Sequence, residues 1–438
     1  VSFIHPNNIG QLILSEGYIL AFSTKFIAGT RDYTTFSHRV PAPFLRRSIT
    51  LDASPEKAVL TLCGLGFYDL FVNGERITKG ILAPYISNPD DVLYYDIYDI
   101  AKYLHEGENV LGFILGNGML NCPGGEIWDF EKARYRSAPK LAMSLDIDGD
   151  IIEADESFRT APSPIMLDDI RIGEFYDARC EIDGWAKPGF DDSNWRQALP
   201  AETPRGVCRI CEADPIAPRE EIKPVSVTRG AVNMDYAIRP NLPNVPFDGV
   251  EGDTEGWLYD FGVNAAGLCR LKIKGTPGQK IVMQFGEEIG ADGKLDLRGM
   301  SFLPHALNHR DIYICRGGEE EIYLPRFTYH GFRYCLVLGM TDAQATPDAL
   351  TYIVYSSALN VNAQFSCSDE VVNRLWKAGI VSDLANFFYF PTDCPHREKN
   401  GWTGDAALSA EQMLVALSPE RSYHEWLFNL RRAQNDAG

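Results

Sequence analysis

The sequence predicts a multidomain chain in which two antiparallel β-sandwich domains are followed by helices. Three observations carry this expectation. Short apolar runs with period-2 patches, bounded by turn residues, fill the chain from about Phe44 to Tyr355. Helical spacing of apolar residues is missing from that stretch and begins only at about residue 366. At 438 residues the chain is longer than one ordinary domain, and its apolar content of 45% suffices for several cores.

Taken in order, residues 1–45 hold short strand-like pieces. Residues 46–215 read as one β-sandwich. Within it, Asn73–Gly74 lies between FYDLFV and ERIT, a strong hairpin signal, and a second hairpin turns near Asp148–Gly149. Residues 216–256 are Pro-rich and mixed, a connector with one strand at IKPVSVTR. Residues 257–360 read as a second sandwich, built from runs such as GLCRLKIKG, KIVMQFGEEI and RFTYHGFRYCLVLG. From 361 to 438 the pattern is helical. Ser368 is the expected N-cap of a first helix, with Asp369 and Glu370 in its first turn. That helix must end before Pro391. A second helix is expected from about Asp405 and a third from about Glu420 to Ala433, all three amphipathic and antiparallel.

Composition narrows the function classes. Forty-one basic against sixty acidic residues leave a net charge of −19. Such a surface repels phosphate backbones and anionic lipid, so a neutral substrate is expected rather than nucleic acid. No run of apolar residues is long enough to span a membrane. The first residues lack the basic and apolar regions of a signal peptide, so a cytoplasmic location is expected, although Val1 is not an initiator methionine and leaves the true start open. Ten scattered cysteines, with a single C-x-x-C pair at Cys208 and Cys211, read as small buried hydrophobes rather than a zinc site.

The densest chemistry lies in PTDCPHREKNGWTGDA, residues 391–406. Three carboxylates, Asp393, Glu398 and Asp405, surround Arg397, Trp402 and His396, and the prolines and glycines keep the segment from becoming helix. Glycoside hydrolysis needs one carboxylic acid to protonate the leaving oxygen and one carboxylate across the sugar. Neighbouring aspartates and the apolar Trp402 would favour a protonated Glu398, whereas Arg397 and Lys399 would oppose it unless they point away or pair with the aspartates. Carboxylates also bind vicinal hydroxyls, and Trp402 could stack on a sugar ring. An ordinary charged turn between helices, with Asp405 as a cap, fits the same residues.

DCPHREKNGWTGDA resembles the signature of the bacterial α-L-rhamnosidases, the family 78 glycoside hydrolases. KAVLTLCGLGFYDLFVNGERI with GENVLGFILGNG resembles that family's N-terminal sandwich, and LYDFGVNAAGLCRLKIKGTPGQ with PRFTYHGFRY resembles the β domain before its barrel. The likeness covers about residues 44–438. It implies an inverting hydrolase of terminal α-L-rhamnose whose helices open an (α/α)6 barrel. Glu398 would be the general acid. Asp393 and Asp405 would bind rhamnose hydroxyls, with Arg397 and Trp402 shaping the pocket. The family's general base lies far downstream. Only about 70 residues follow Cys367, room for roughly three or four helices, so the barrel is expected to be cut short and the base to fall beyond residue 438. The partner implied is a rhamnose-containing glycoside or polysaccharide. Some family members bind rhamnose through calcium in a sandwich of this kind, and Asp69 and Asn117 are the residues to inspect for that. No other cofactor or metal is expected.

Smaller features read as structural. His330 sits among aromatic strand neighbours, a packed core histidine. His305 and His309 are four apart but lack an acidic third ligand at metal spacing. EEIGADGKLD departs from the calcium-loop pattern and reads as a hairpin. Two other readings stay open: a non-catalytic carbohydrate-binding fragment, and a hydrolase of another helical-barrel family acting on a different sugar. The residues say nothing of oligomeric state or aglycone.

Overall fold

The structure is a computed structural model and describes residues 11–13, 19–35, 38–123, 128–232, 254–300, 309–435 and 437–438. It is mostly β, with three α-helices among the described residues. No helix there is long and apolar enough to cross a membrane.

Two sheets share the first core. One runs in the order 199–201, 26–28, 140–147, 58–65, 92–99, 207–210, with 150–153 paired to 140–147. The other runs 196–197, 159–162, 43–51, 107–116, 67–72, 75–76. Alternate residues of both, among them Leu60, Leu62, Leu70, Leu111, Phe113, Met143 and Leu145, meet in one buried cluster. Both expected hairpins form. Asn73 and Gly74 take φ 51° and 89°, and Asp148 and Gly149 take φ 49° and 101°. Paired left-handed residues match the twist of the flanking strands, which is why Asn-Gly and Asp-Gly are favoured there.

The second β region is a ten-stranded sheet, ordered 165–169, 173–177, 310–314, 280–286, 330–338, 255–273, 350–357, 216–222, with 226–231 and 321–323 paired to 255–273. The long strand Glu255–Ile273 breaks register between Asp260 and Ala265, where Gly262 takes φ 75°. The sheet's core includes Tyr259, Cys269, Leu271, Met283, Phe285, Phe332 and Tyr352. Every member of that core comes from these strands or the turns beside them.

Two segments pair differently from the expectation. Ile165–Asp169 and Gly173–Asp177 were placed in the first sandwich, yet Phe175–Asp177 pairs in parallel with Ile312–Ile314 of the second sheet. Ile216–Ile222 and Ser226–Ala231 were read as connector with one strand, and both belong to that sheet. The physical reason is that alternation predicts a strand without naming its partner. Pro218 is tolerated because its strand lies at the sheet edge and shifts register there. Within the expected connector, residues 233–253 lie outside the described residues.

Helix α1 spans Glu370–Ala385, α2 Thr403–Ala416 and α3 Glu420–Ala433. The cap of α1 is Asp369, not Ser368: the Asp369 carboxylate accepts from Val371 N at 2.8 Å. Met413, Ala416, Tyr423, Trp376, Ile380 and Leu384 give the three helices a common core. Helix α3 is also tied to the first sandwich. Buried Glu425 accepts from Arg209 Nε at 2.7 Å and Nη2 at 2.8 Å, and from the Tyr94 hydroxyl at 2.7 Å.

Between α1 and α2 the chain forms a two-residue-per-arm hairpin, Phe387–Phe388 with Phe390–Pro391. Phe388, Tyr389 and Phe390 enter a core shared by both β regions, beside Phe44, Phe67, Tyr85, Tyr94, Leu268, Phe327 and Tyr329. Phe388 stacks on Tyr329 at 3.9 Å. This apolar root seats the loop that follows.

Candidate active site

The loop 391–402 lies against the second sheet. Gly331 makes the approach possible: a Cβ there would meet Pro395 at 2.5 Å. Inside the loop, Asp393 N donates to Asn400 O at 3.0 Å, and Asn400 N returns to Asp393 Oδ1 at 2.9 Å. Cys394 Sγ donates to Asp393 Oδ2 at 3.0 Å, and Glu398 N to Cys394 Sγ at 3.3 Å. Asp393 thus closes the loop on itself. A carboxylate has about four acceptor positions, so capacity for a ligand is left.

Two basic residues hold this loop from below, and the sequence reading missed both roles. Arg171, buried in the turn between strands 165–169 and 173–177, donates from Nε to Glu398 O at 2.8 Å and from Nη2 to Asn400 Oδ1 at 2.6 Å. Its own turn is set by Asp169, whose Oδ1 accepts from Arg171 N at 2.8 Å and Ile172 N at 2.9 Å. The guanidinium also lies over Trp128, 4.5 Å from the ring centroid. Lys399 is buried, with φ 55°, and its Nζ donates to the carbonyls of Ile170 and Tyr329 while lying 4.4 Å from the Tyr329 ring centre. Burial, then the Arg171 charge, pulls the Lys399 amine down to about 7. Lys399 therefore points away from the carboxylates of the loop, one of the arrangements the sequence left open. A signal existed in MLDDIRIGEFYD: five charged residues, Asp168, Asp169, Arg171, Glu174 and Asp177, in a strand-like run, all buried in the fold. Buried charge requires partners.

Glu398 sits where the clamped part of the loop meets solvent. Its carbonyl is held by Arg171, and its Oε2 accepts from Trp402 Nε1 at 2.6 Å. Trp402 is 47% exposed and occupies the N-cap position of α2 without a side-chain cap bond. Asp405 is exposed in the first turn of α2, so the capping alternative is not how it sits. Arg397 is partly buried, and its Nε has no hydrogen-bond partner. A native unsatisfied donor calls for an explanation such as a ligand or water. His396 lies 3.6 Å from Glu287, and burial, then the charges of Arg397 and Lys399, lower it to about 4. It is a neutral ring near pH 7.

Asp69 and Asn117 lie elsewhere, in separate networks. Buried Asp69 accepts from Arg76 Nε at 2.8 Å on Oδ1 and from Arg326 at 2.6 Å on Oδ2. Buried Asn117 bonds to Asp168 and Asn121. Each Asp69 oxygen thus faces a guanidinium, and the Asn117 amide faces an aspartate and an asparagine. His330 is a core histidine, 3.1 Å from Asp311 and stacked on Phe285. His309 is buried, and its expected neighbour His305 lies outside the described residues. The EEIGADGKLD segment is a hairpin, Glu288–Ile289 paired with Leu295–Asp296. All ten cysteines are free.

Three family models match in succession: the α-L-rhamnosidase N-terminal domain over residues 53–220, the bacterial α-L-rhamnosidase concanavalin-like domain over 251–356, and the bacterial α-L-rhamnosidase six-hairpin glycosidase domain over 361–438. The chain belongs to the bacterial α-L-rhamnosidase family. An α-L-rhamnosidase of Formosa agariphila is 31% identical over 399 residues, covering 89% of this chain and 39% of that protein. One of Streptomyces avermitilis is 29% identical, covering 87% of this chain and 35% of that one. Among solved structures, the α-L-rhamnosidase from Dictyoglumus thermophilum superposes with a TM-score of 0.81 at 32% identity, over 94% of this chain and 44% of that chain. The Streptomyces avermitilis α-L-rhamnosidase complexed with L-rhamnose gives 0.78 at 27%, over 90% and 36%. This rhamnosidase-family chain thus spans less than half the length of each of these relatives.

Proposed function

We propose that the protein hydrolyses terminal α-L-rhamnosides by an inverting mechanism, with Glu398 as general acid in a barrel of the (α/α)6 kind. The observation that carries this reading is the way Glu398 is held. Its backbone is fixed by a buried guanidinium, while its carboxyl meets solvent beside a half-exposed indole. A fixed backbone and an accessible carboxyl are what proton delivery to a bound ligand requires. Glu398 would give its proton to the glycosidic oxygen as the bond from that oxygen to the anomeric carbon breaks. Water would then add from the opposite face and lose a proton to a base. That base is assigned to no residue of this chain.

The sugar would be bound by groups around Glu398. Trp402 offers an exposed ring face, and the partly buried Arg397 a guanidinium on the residue next to Glu398. Asp405 offers an exposed carboxylate, and Asp393 the acceptor capacity its loop bonds leave over. The L-rhamnose complex of the Streptomyces avermitilis relative supports rhamnose as the sugar. The test is release of nitrophenol by the full-length protein from a panel of nitrophenyl glycosides. Turnover of the α-L-rhamnoside above all others is expected. Turnover of a different sugar, or of none, would overturn the reading.

A further inference from the structure

At the edge of the first sandwich, away from the loop 391–402, lies a cavity of about 530 Å³. Its walls come from the segment after strand 26–28, from residues 134–140 and from residues 200–205. Five cationic side chains line it: Arg31, Arg134, Arg136, Lys140 and Arg205. The acids there are Asp90 and Glu202. Asp90 carries two of the cations, Arg205 at 3.2 Å and Arg134 at 3.9 Å. Lys140 is buried and donates to the backbone carbonyl of Glu202 at 2.8 Å, with the Glu202 carboxylate also acting on its charge. Arg136 donates to Asn121 Oδ1 at 2.9 Å, a neutral partner. The cavity therefore carries an excess of positive charge on a chain whose net charge is −19. On such a surface a cationic hollow is where an anion would be retained.

We propose that this cavity is a second glycan-binding site and that it takes an acidic sugar, a hexuronate, with its carboxylate facing the arginines. The volume falls in the range of small-molecule sites and suits one or two sugar rings. Guanidinium forks match the planar carboxylate, and the half-buried Tyr135 adds an aromatic wall for a pyranose ring. Extended polyanions such as nucleic acid are disfavoured by the acidic surroundings. The choice of a sugar over other small carboxylates rests on the glycosidase reading. The site would hold an acidic residue of a polymeric substrate while a terminal sugar is cleaved elsewhere.

The experiment is calorimetric titration of the full-length protein with D-glucuronate and with D-galacturonate, beside D-glucose, acetate and inorganic sulfate. The double variant Arg31→Glu/Arg134→Glu is run in parallel, with Arg205→Gln as a milder second; Arg31, Arg134 and Arg205 are all exposed. The expected result is saturable binding of at least one hexuronate, weakened by high salt and by at least about tenfold in the double variant, with no binding of glucose. Hydrolysis of nitrophenyl α-L-rhamnoside should be the same in wild type and variants. No hexuronate binding, equal binding in the variants, or sulfate and acetate binding as tightly as the hexuronates would overturn the proposal. Hexuronate binding by a protein that cleaves no rhamnoside would leave this site standing and remove the hydrolase reading instead.

Discussion

Residues 391–400 of the loop and residues 401–406, where it passes into α2, are held in opposite ways. The first half rests on an apolar root, is closed by Asp393 and Asn400, and is clamped by Arg171 and Lys399. In the second half, Trp402, Thr403, Gly404 and Asp405 are all exposed. Glu398 stands at the join, its main chain belonging to the first half and its carboxyl bonded to the second. The difference teaches that the β regions fix the backbone of the candidate acid, while the side of the loop nearest α2 is left to meet a ligand. Substitutions in the two halves should therefore separate stability from turnover.

The largest effect on both is expected at Arg171. Arg171→Leu leaves two half-buried acceptors of the loop, Glu398 O and Asn400 Oδ1, without their charged donor. Hydrogen bonds to charged groups contribute roughly 1.5–3 kcal/mol each, so a loss of about 3 kcal/mol or more is expected in denaturant unfolding. A misplaced Glu398 should also lower kcat by about a hundredfold. A stable variant with normal turnover would break the comparison.

Lys399→Met should come next and should carry a pH signature. The folded amine ionises near 7, well below its ordinary value of 10.5. Between about pH 7 and 10 the unfolded chain binds the extra proton, so wild-type stability gains from this residue as pH rises, by up to ~1.4 kcal/mol per pH unit. Below pH 7 both states are protonated and that gain is absent. The stability difference between wild type and Lys399→Met should therefore grow in favour of wild type from pH 7 to 10. A flat difference would mean that Lys399 keeps its charge in the fold.

In the second half the effects should move to catalysis. Trp402→Phe keeps a ring but removes the donor to Glu398 Oε2. A fall in kcat of about tenfold is expected with little change in stability. Asp405→Asn should be smallest, within about 0.5 kcal/mol in stability, because the residue is exposed. A raised KM for rhamnosides in that variant would place its carboxylate on a sugar hydroxyl, and an unchanged KM would remove it from the site.

The same contrast explains what could be read in advance. Turns are local chemistry, and the Asn73–Gly74 and Asp148–Gly149 hairpins form where expected. The three helices also lie close to their expected bounds, with the α1 cap one residue later at Asp369. Pairing between distant segments is not local. Nothing in the alternation of residues 165–177 names strand 310–314 as partner. For the same reason nothing in the loop names the Ile170 and Tyr329 carbonyls as the partners of Lys399, and nothing connects Arg171, 227 residues before Glu398, to the loop. The carboxylates and Trp402 were legible because a continuous motif carries them.

The central claim is that Glu398 supplies the proton to the leaving oxygen. It is tested most directly by Glu398→Gln in the full-length protein, comparing an unactivated alkyl or sugar rhamnoside with an activated nitrophenyl rhamnoside. Folding should be retained, since Arg171 holds the residue by its main chain. The account predicts a fall in kcat of about 10²–10⁴-fold on the unactivated substrate and a much smaller fall on the activated one, whose leaving group needs little protonation. Equal losses on both substrates, or no loss on either, would contradict it.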